Sequence, residues 1–398
     1  MKYEKILLIS NLLANVATIP GHSFGINMFV EHWMTYFNMS RIVFSLLWLS
    51  SCIISGIYVA FFGSFLDFYG TRKTSFVLYP LFILALYSMY FVENIYLFAF
   101  LICSIRILGP ETITMITYVS YTQWFSKDLG KVFSLLGFIN SLLLFSPMLI
   151  HYCINAYGWK MTFLYMSMSM NICLLPSFVS IRNKQPHEES STTTEEDLTD
   201  DDSKHFHEVI KNPMYWFMIC NGSLLNILHM GISINMLNFI RMYYQQDTNT
   251  ILNYIYSSST LGVCISSTMI GFVYDKFSIK KDIFILCGLE LLFALISIVL
   301  PFCDHGFLLV FVCFLYGLFV GSVGVSYDIL YPKLFGTKKI GSIVSFHDGI
   351  VLICGGIGPL IFNVSLLYVS SYTPIIIVIS LLKILFSILI LVKNKRLG

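Results

Sequence analysis

The chain has 398 residues, of which 57% are hydrophobic and 12% charged, with a mean hydropathy of +0.77 and a formal net charge of +2. Soluble domains carry about 25% charged residues, so a water-soluble globular protein is excluded, and so small a net charge leaves no electrostatic footprint for nucleic acid. The ten cysteines form no C-x-x-C pair and lie almost wholly in apolar segments, so neither zinc, another cofactor nor a disulfide framework is expected.

Apolar runs of about 20 residues, enough to cross a ~30 Å hydrocarbon core as a helix, recur along the chain. Twelve spans are expected, at 6–29, 42–66, 75–92, 96–120, 131–153, 161–181, 213–240, 251–274, 283–301, 306–329, 341–364 and 371–392. The runs are continuously apolar rather than alternating, so helices and not barrel strands do the spanning. The fold class is an all-α membrane protein of twelve transmembrane helices in two six-helix bundles, 1–181 and 213–398. An acidic cytosolic linker, 182–212, joins them.

In the first span, Lys2 and Lys5 precede an apolar run as in a signal peptide, but the run continues to Phe29 without a small-residue cleavage site, so it reads as a helix. GHSFG at 21–25 matches the G-x-S-x-G of esterases. That motif needs a strand-to-helix elbow, and within an apolar helix its glycines serve kinking or close packing, so no enzyme is expected. Asn38-Met39-Ser40 is a glycosylation sequon placed close to the second span.

The second span ends in GSFLDFYGTRK, 63–73, and a weaker copy, GFVYDKFSIKK, begins at Gly271 after the eighth span. Gly63 matches Gly271, Asp67 matches Asp275, and Arg72-Lys73 match Lys280-Lys281. WFSKDLG from Trp124 is echoed by LFGTKKIG from Leu334, so the chain reads as an imperfect duplication of six spans.

Charged groups inside the bilayer cost about 2.5–3.5 kcal/mol each on insertion scales and are functional candidates by default. Arg106, ten residues into the fourth span and thus about 15 Å deep, is the foremost; Pro110 deprives its carbonyl of a helical donor and predicts a kink there. Glu111 is five positions on, about 140° around an α-helix, and so on another face.

Nine acidic residues crowd 182–212, which is too polar to fold alone. It reads as a tether, with regulatory contacts or phosphorylation at its serines and threonines as the alternative. On the seventh span Asn226, His229 and Ser233 share a face, open to ligand contact or to helix packing. Glu290 in the ninth span reads as structural. His347-Asp348 in the eleventh stand beneath a GGIGP turn, where a buried Asp beside a His is a candidate proton acceptor, because burial raises a carboxylate pKa. Lys383 in the twelfth either faces a cavity or snorkels to the cytosolic headgroups.

With the N-terminus in the cytosol, nineteen Lys and Arg fall on the cytosolic side against Arg41, Lys160 and Arg241 outside. Positive charge concentrates inside, so both termini are expected in the cytosol.

GSFLDFYGTRK resembles the loop signature of the major facilitator superfamily, G-x-L-x-D-x-x-G-R-[KR]-x-[KR]. It keeps Gly63, Asp67, Gly70, Arg72 and Lys73, while the leucine is shifted by one and Thr71 interrupts the basic run. WFSKDLGKVFSLLGF (124–138), YGWKMTF (157–163), YPKLFGTKKIGSIVSF (331–346) and GGIGP (355–359) resemble the monocarboxylate transporter and oxalate–formate antiporter branch.

The resemblance implies two parallel six-helix repeats and alternating access around a midplane site. It also implies a cytosolic latch made by the 63–73 cluster, with Asp275 serving likewise. The expected activity is secondary or facilitative transport of a small organic anion such as a monocarboxylate, with a proton as candidate coupling ion. Arg106, Asn226, His229, His347 and Asp348 are the candidates for substrate binding or proton coupling. The branch often has a basic residue where Asp348 stands, which leaves open an amino acid or other zwitterion using Arg106 for carboxylate and Asp348 for amine. A non-transporting scaffold or receptor is the remaining alternative.

Overall fold

The computed structural model describes residues 2–22, 25–26, 28–125, 129–182, 206–243, 248–276, 279–303, 306–337 and 339–396. They form α1 (Lys2–Val16), α2 (Val30–Tyr36), α3 (Arg41–Tyr69), α4 (Thr71–Ser88), α5 (Ile95–Arg106), α6 (Thr114–Trp124), α7 (Leu129–Leu143), α8 (Ser146–Tyr157) and α9 (Trp159–Ser180). There follow α10 (Phe206–Lys211), α11 (Pro213–Tyr243), α12 (Thr248–Tyr274), α13 (Ile279–Val299), α14 (Gly306–Phe335), α15 (Ile340–Val369) and α16 (Thr373–Arg396).

Among the described residues, eight helical stretches are long and apolar enough to cross a membrane. The expected spans at 213–240 and 251–274 are continuous helices of 31 and 27 residues, α11 and α12. Those at 6–29 and 131–153 are divided. Most of the acidic linker, 183–205, lies outside the described residues.

Two units are distinguished, one of Met1–Val132, Leu142–Phe206 and Phe335–Gly349, the other of Phe133–Ser141, His207–Leu334 and Ile350–Gly398.

In the first unit the opening span is not the continuous helix that its hydropathy suggests. α1 stops at Val16, and a 3-10 turn, Ile19–Gly21, carries Pro20 in its first positions. Proline has no N–H to continue an α-helix. The turn also sits tightly on the fourth span: a Cβ on Gly21 would lie 2.3 Å from Pro110 Cδ and 2.8 Å from Ile105 O. The glycines of the esterase-like pentapeptide are thus packing residues, since a Cβ on Gly25 would lie 2.3 Å from Ile19 O; its Ser23 is outside the described residues. Gly21→Ala is expected to destabilise the first unit by about 1–3 kcal/mol through overpacking, read as an earlier thermal transition in detergent with little effect from Gly288→Ala, where a Cβ meets nothing within 4 Å.

A polar clasp ties three helices of this unit together. Asn11 Nδ2 donates to Ser120 Oγ at 3.2 Å, Ser177 Oγ donates to Asn11 Oδ1 at 3.0 Å, and Asn15 Nδ2 donates to Thr117 Oγ1 at 3.0 Å, linking α1, α6 and α9. In an apolar surround such bonds satisfy groups that would otherwise be costly.

The second unit repeats the clasp in the same register. Asn221 Nδ2 donates to Ser387 Oγ at 2.9 Å; Asn11 and Ser177 are 166 residues apart, and so are Asn221 and Ser387. Here the clasp is charged. Lys383 Nζ donates to Asn221 O at 3.2 Å and Asn221 Oδ1 at 3.1 Å and forms an ion pair with Glu290 Oε2, while Tyr327 OH donates to Glu290 Oε1 at 2.8 Å. Both charged side chains are wholly buried. Lys383 therefore neither faces a cavity nor snorkels: its ammonium is held by Asn221 of α11 and by the Glu290 carboxylate of α13, which fixes it inside.

The GGIGP segment is not a turn either. It continues α15 through Pro359, and its glycines admit α11: a Cβ on Gly358 would lie 2.6 Å from Ile227 O, and Gly231 of α11 in turn faces Phe362.

Candidate functional site

Arg106 ends α5 and is 7% exposed. Its guanidinium lies over the Trp48 ring of α3, 4.4 Å from Cζ to centroid, which stabilises a cation without neutralising it. Among the described residues no carboxylate lies at ion-pair distance from it, and its Nε has no hydrogen-bond partner. The buried cation therefore has no ion-pair partner among the described residues, although its charge reaches Glu111.

Beyond Arg106 the chain does not simply kink at Pro110. Residues Ile107–Ile113 wind as a π-helix with Pro110 inside, so the missing proline N–H is absorbed by a wider turn whose hydrogen bonds close at i→i+5. Thr112 Oγ1 donates to Ile107 O at 2.8 Å and pairs with Tyr58 OH at 3.1 Å, tying the segment to α3. Glu111 lies one such turn from Arg106, not on an unrelated face. It is half-buried, and the Arg106 and Asp348 charges both reach it.

His347 and Asp348 are neighbours on α15 within the first unit. His347 Nδ1 and Asp348 Oδ1 are 2.9 Å apart; the histidine side chain is 7% exposed, the aspartate 45%. The expectation of a buried acid is thus reversed, because successive positions on a helix point about 100° apart.

The two candidates of the second unit differ from each other. Asn226 Nδ2 donates to Val351 O at 3.3 Å, and a Cβ on Gly355 would come within 3.0 Å of Asn226 Cγ, so this side chain is engaged in packing α11 on α15. His229 stacks on Tyr316 of α14 with ring centroids 6.1 Å apart, and neither His229 Nδ1 nor the Tyr316 hydroxyl has a hydrogen-bond partner among the described residues.

The 63–73 cluster is built on α3 and the first turns of α15, both in the first unit. Asp67 Oδ1 accepts from Gly341 N at 3.2 Å, and Oδ2 accepts from Ser342 N at 2.8 Å and Ser342 Oγ at 2.5 Å. A carboxylate placed on the free N–H groups of a helix start satisfies them and complements the helix dipole. Small residues let the helices meet: a Cβ on Gly63 would lie 1.9 Å from Gly341 O, and one on Gly349 would lie 2.5 Å from Gly56 O.

Gly70, at φ 80°, joins α3 to α4 in a single residue, a conformation that side chains rarely adopt. Arg72 and Lys73 are exposed at the start of α4, Arg72 lying over Phe76 at 6.0 Å. Asp275 is exposed just after α12. In the second copy it is Gly271 whose N–H reaches out, donating to Ser134 Oγ of α7 at 2.9 Å.

Trp48, Ser342 and Tyr316 were not singled out in sequence, since an aromatic or serine in an apolar span carries no signal until its neighbour is known.

No curated protein sequence matches the chain. Among solved structures it is similar to the crystal structure of the human organic anion transporter MFSD10 (TETRAN), with a TM-score of 0.72 and 12% identity over 97% of this chain and 98% of that one, a likeness of fold. The family model of the Major Facilitator Superfamily matches residues 12–359. With that match spanning most of a chain whose described residues are largely helical, the protein belongs to the Major Facilitator Superfamily.

Proposed function

We propose that the protein transports a small organic anion, a carboxylate in the manner of the monocarboxylate branch, and that Arg106 receives the carboxylate. The carrying observation is a buried guanidinium resting on Trp48 with no carboxylate at ion-pair distance among the described residues. The planar fork of arginine matches a carboxylate bidentately, and the low dielectric around it strengthens the attraction.

Alternating access is driven by a gradient or runs downhill. The latch at the cytosolic mouth is Asp67 on the start of α15, with Gly63 permitting the approach, Gly70 the tight turn into α4, and Arg72 and Lys73 supplying its charge; Asp275 is the corresponding acid of the second copy. Both termini lie in the cytosol, and the acidic linker is a tether open to regulatory contacts. A proton is the coupling ion, taken up at the His347–Asp348 pair, with Glu111 within the field of Asp348. His229 and Asn226 are the second unit's candidates, His229 the stronger because Asn226 is engaged in packing. The half-exposed Asp348 favours a second reading, in which its carboxylate holds the amine of a zwitterion.

The test is uptake of radiolabelled carboxylates into proteoliposomes with and without a pH gradient. Arg106→Gln is expected to abolish saturable uptake and Arg106→Lys to reduce it at least tenfold, with folding checked in parallel. Equal uptake by Arg106→Lys would remove the guanidinium from the substrate site, and preference for a neutral amide analogue would refute the anion.

A further inference from the structure

In the first unit an open groove of about 570 Å³ runs between α3 and α5, its rim formed by the exposed side chains of Val43, Ile54, Tyr96 and Phe100. From α5 it is lined by Ile95, Ala99 and Cys103, which recur every four residues and so form one face; from α3 it is lined by Leu47, Ser51 and Ile54. Arg106 follows on that face of α5 one turn after Cys103, and Trp48, which carries its guanidinium, sits beside Leu47 and a turn before Ser51. The apolar groove thus ends at Cys103, one helical turn from and within the field of a buried cation whose Nε is unpartnered.

We infer that this trough holds the apolar body of the transported anion, so that the substrate class is an amphiphilic carboxylate with an alkyl or aryl tail. The inference rests on the assignment of Arg106 to the carboxylate and adds the tail. A short polar acid would meet Arg106 and leave the apolar walls uncovered. A tail without an acid would cover the walls and leave the cation unmatched. Only a molecule carrying both answers both features. Charge complementarity is what distinguishes this occupant from an ordinary bilayer acyl chain.

The experiment measures equilibrium binding of butyrate, octanoate and dodecanoate, with dodecanol as neutral probe, to the purified full chain in detergent. Each methylene that leaves water for the trough should tighten binding about 4-fold until the trough is filled, and dodecanol should bind at least tenfold more weakly than dodecanoate. Ala99→Phe, which fills the trough from α5, should weaken octanoate by at least tenfold and butyrate by far less. Leu47→Phe fills it from α3 and serves where Ala99→Phe does not fold.

Tail-independent affinity, a chain-length gain that survives both phenylalanine variants, or dodecanol binding as well as dodecanoate would each overturn the inference. Butyrate binding lost in Arg106→Gln but without any tail effect would overturn this inference alone. Butyrate and octanoate binding unchanged in Arg106→Gln would overturn the assignment of Arg106 as well.

Discussion

Lys383→Met is expected to destabilise the second unit by about 3–5 kcal/mol, the range for removing one partner of a buried ion pair. The lysine is wholly buried, and so is Glu290. Without the ammonium, Glu290 keeps a single neutral donor, Tyr327 OH, and must either remain charged in an apolar surround or take up a proton. Asn221 loses the partner of its side-chain and backbone oxygens in the same step. The double variant Lys383→Met with Glu290→Gln should recover more than half of the loss, because Gln still accepts from Tyr327 and no charge is left buried. Unfolding in mixed micelles, followed by helicity, reads both. If the single and double variants unfold alike, the pair is not coupled and the clasp rests on Asn221 and Ser387 alone.

Asp67→Ala is expected to cut transport at least tenfold while leaving substrate affinity within about threefold. The carboxylate accepts three hydrogen bonds at the start of α15, and hydrogen bonds to charged groups are worth about 1.5–3 kcal/mol each. Losing even part of this total shifts a two-state equilibrium by tenfold or more, since 1.4 kcal/mol is one decade. Asp67→Asn should lie between, because an amide keeps one acceptor and turns a donor toward Ser342. Ser342→Ala removes one donor only and should show the smallest effect. Uptake and equilibrium binding are measured on the same preparations, and normal uptake by Asp67→Ala would end the latch assignment.

Much of the architecture is local in origin and therefore readable in one dimension. Whether a segment enters the bilayer depends on the summed transfer free energy of about 20 consecutive residues, which is why the apolar runs fall on helices, including α11 and α12 with their polar residues, while the runs at 6–29 and 131–153 are each divided. The duplication is likewise a property of the string: the glycine and aspartate spacing of 63–73 recurs from Gly271, and the structure extends it to the Asn11–Ser177 and Asn221–Ser387 clasps.

Tertiary structure alone decided what each polar side chain meets. Hydropathy marks Arg106, Glu290 and Lys383 as charges in apolar runs; it carries no term for Trp48 beneath one of them, or for a pairing between α13 and α16 that buries the other two. The winding at Pro110 was equally hidden: proline in an apolar run signals a break in the α-helical ladder, but not whether a kink or an i→i+5 turn absorbs it, nor that Gly21 of another span seats against it. Asp67 finds its three donors 274 and 275 residues away, and burial at His347 and Asp348 is set by which face of α15 the neighbouring helices cover. Insertion is a sum over adjacent residues and survives any reshuffling of partners, whereas a hydrogen bond or ion pair exists only where the packed helices bring two distant atoms within about 3 Å.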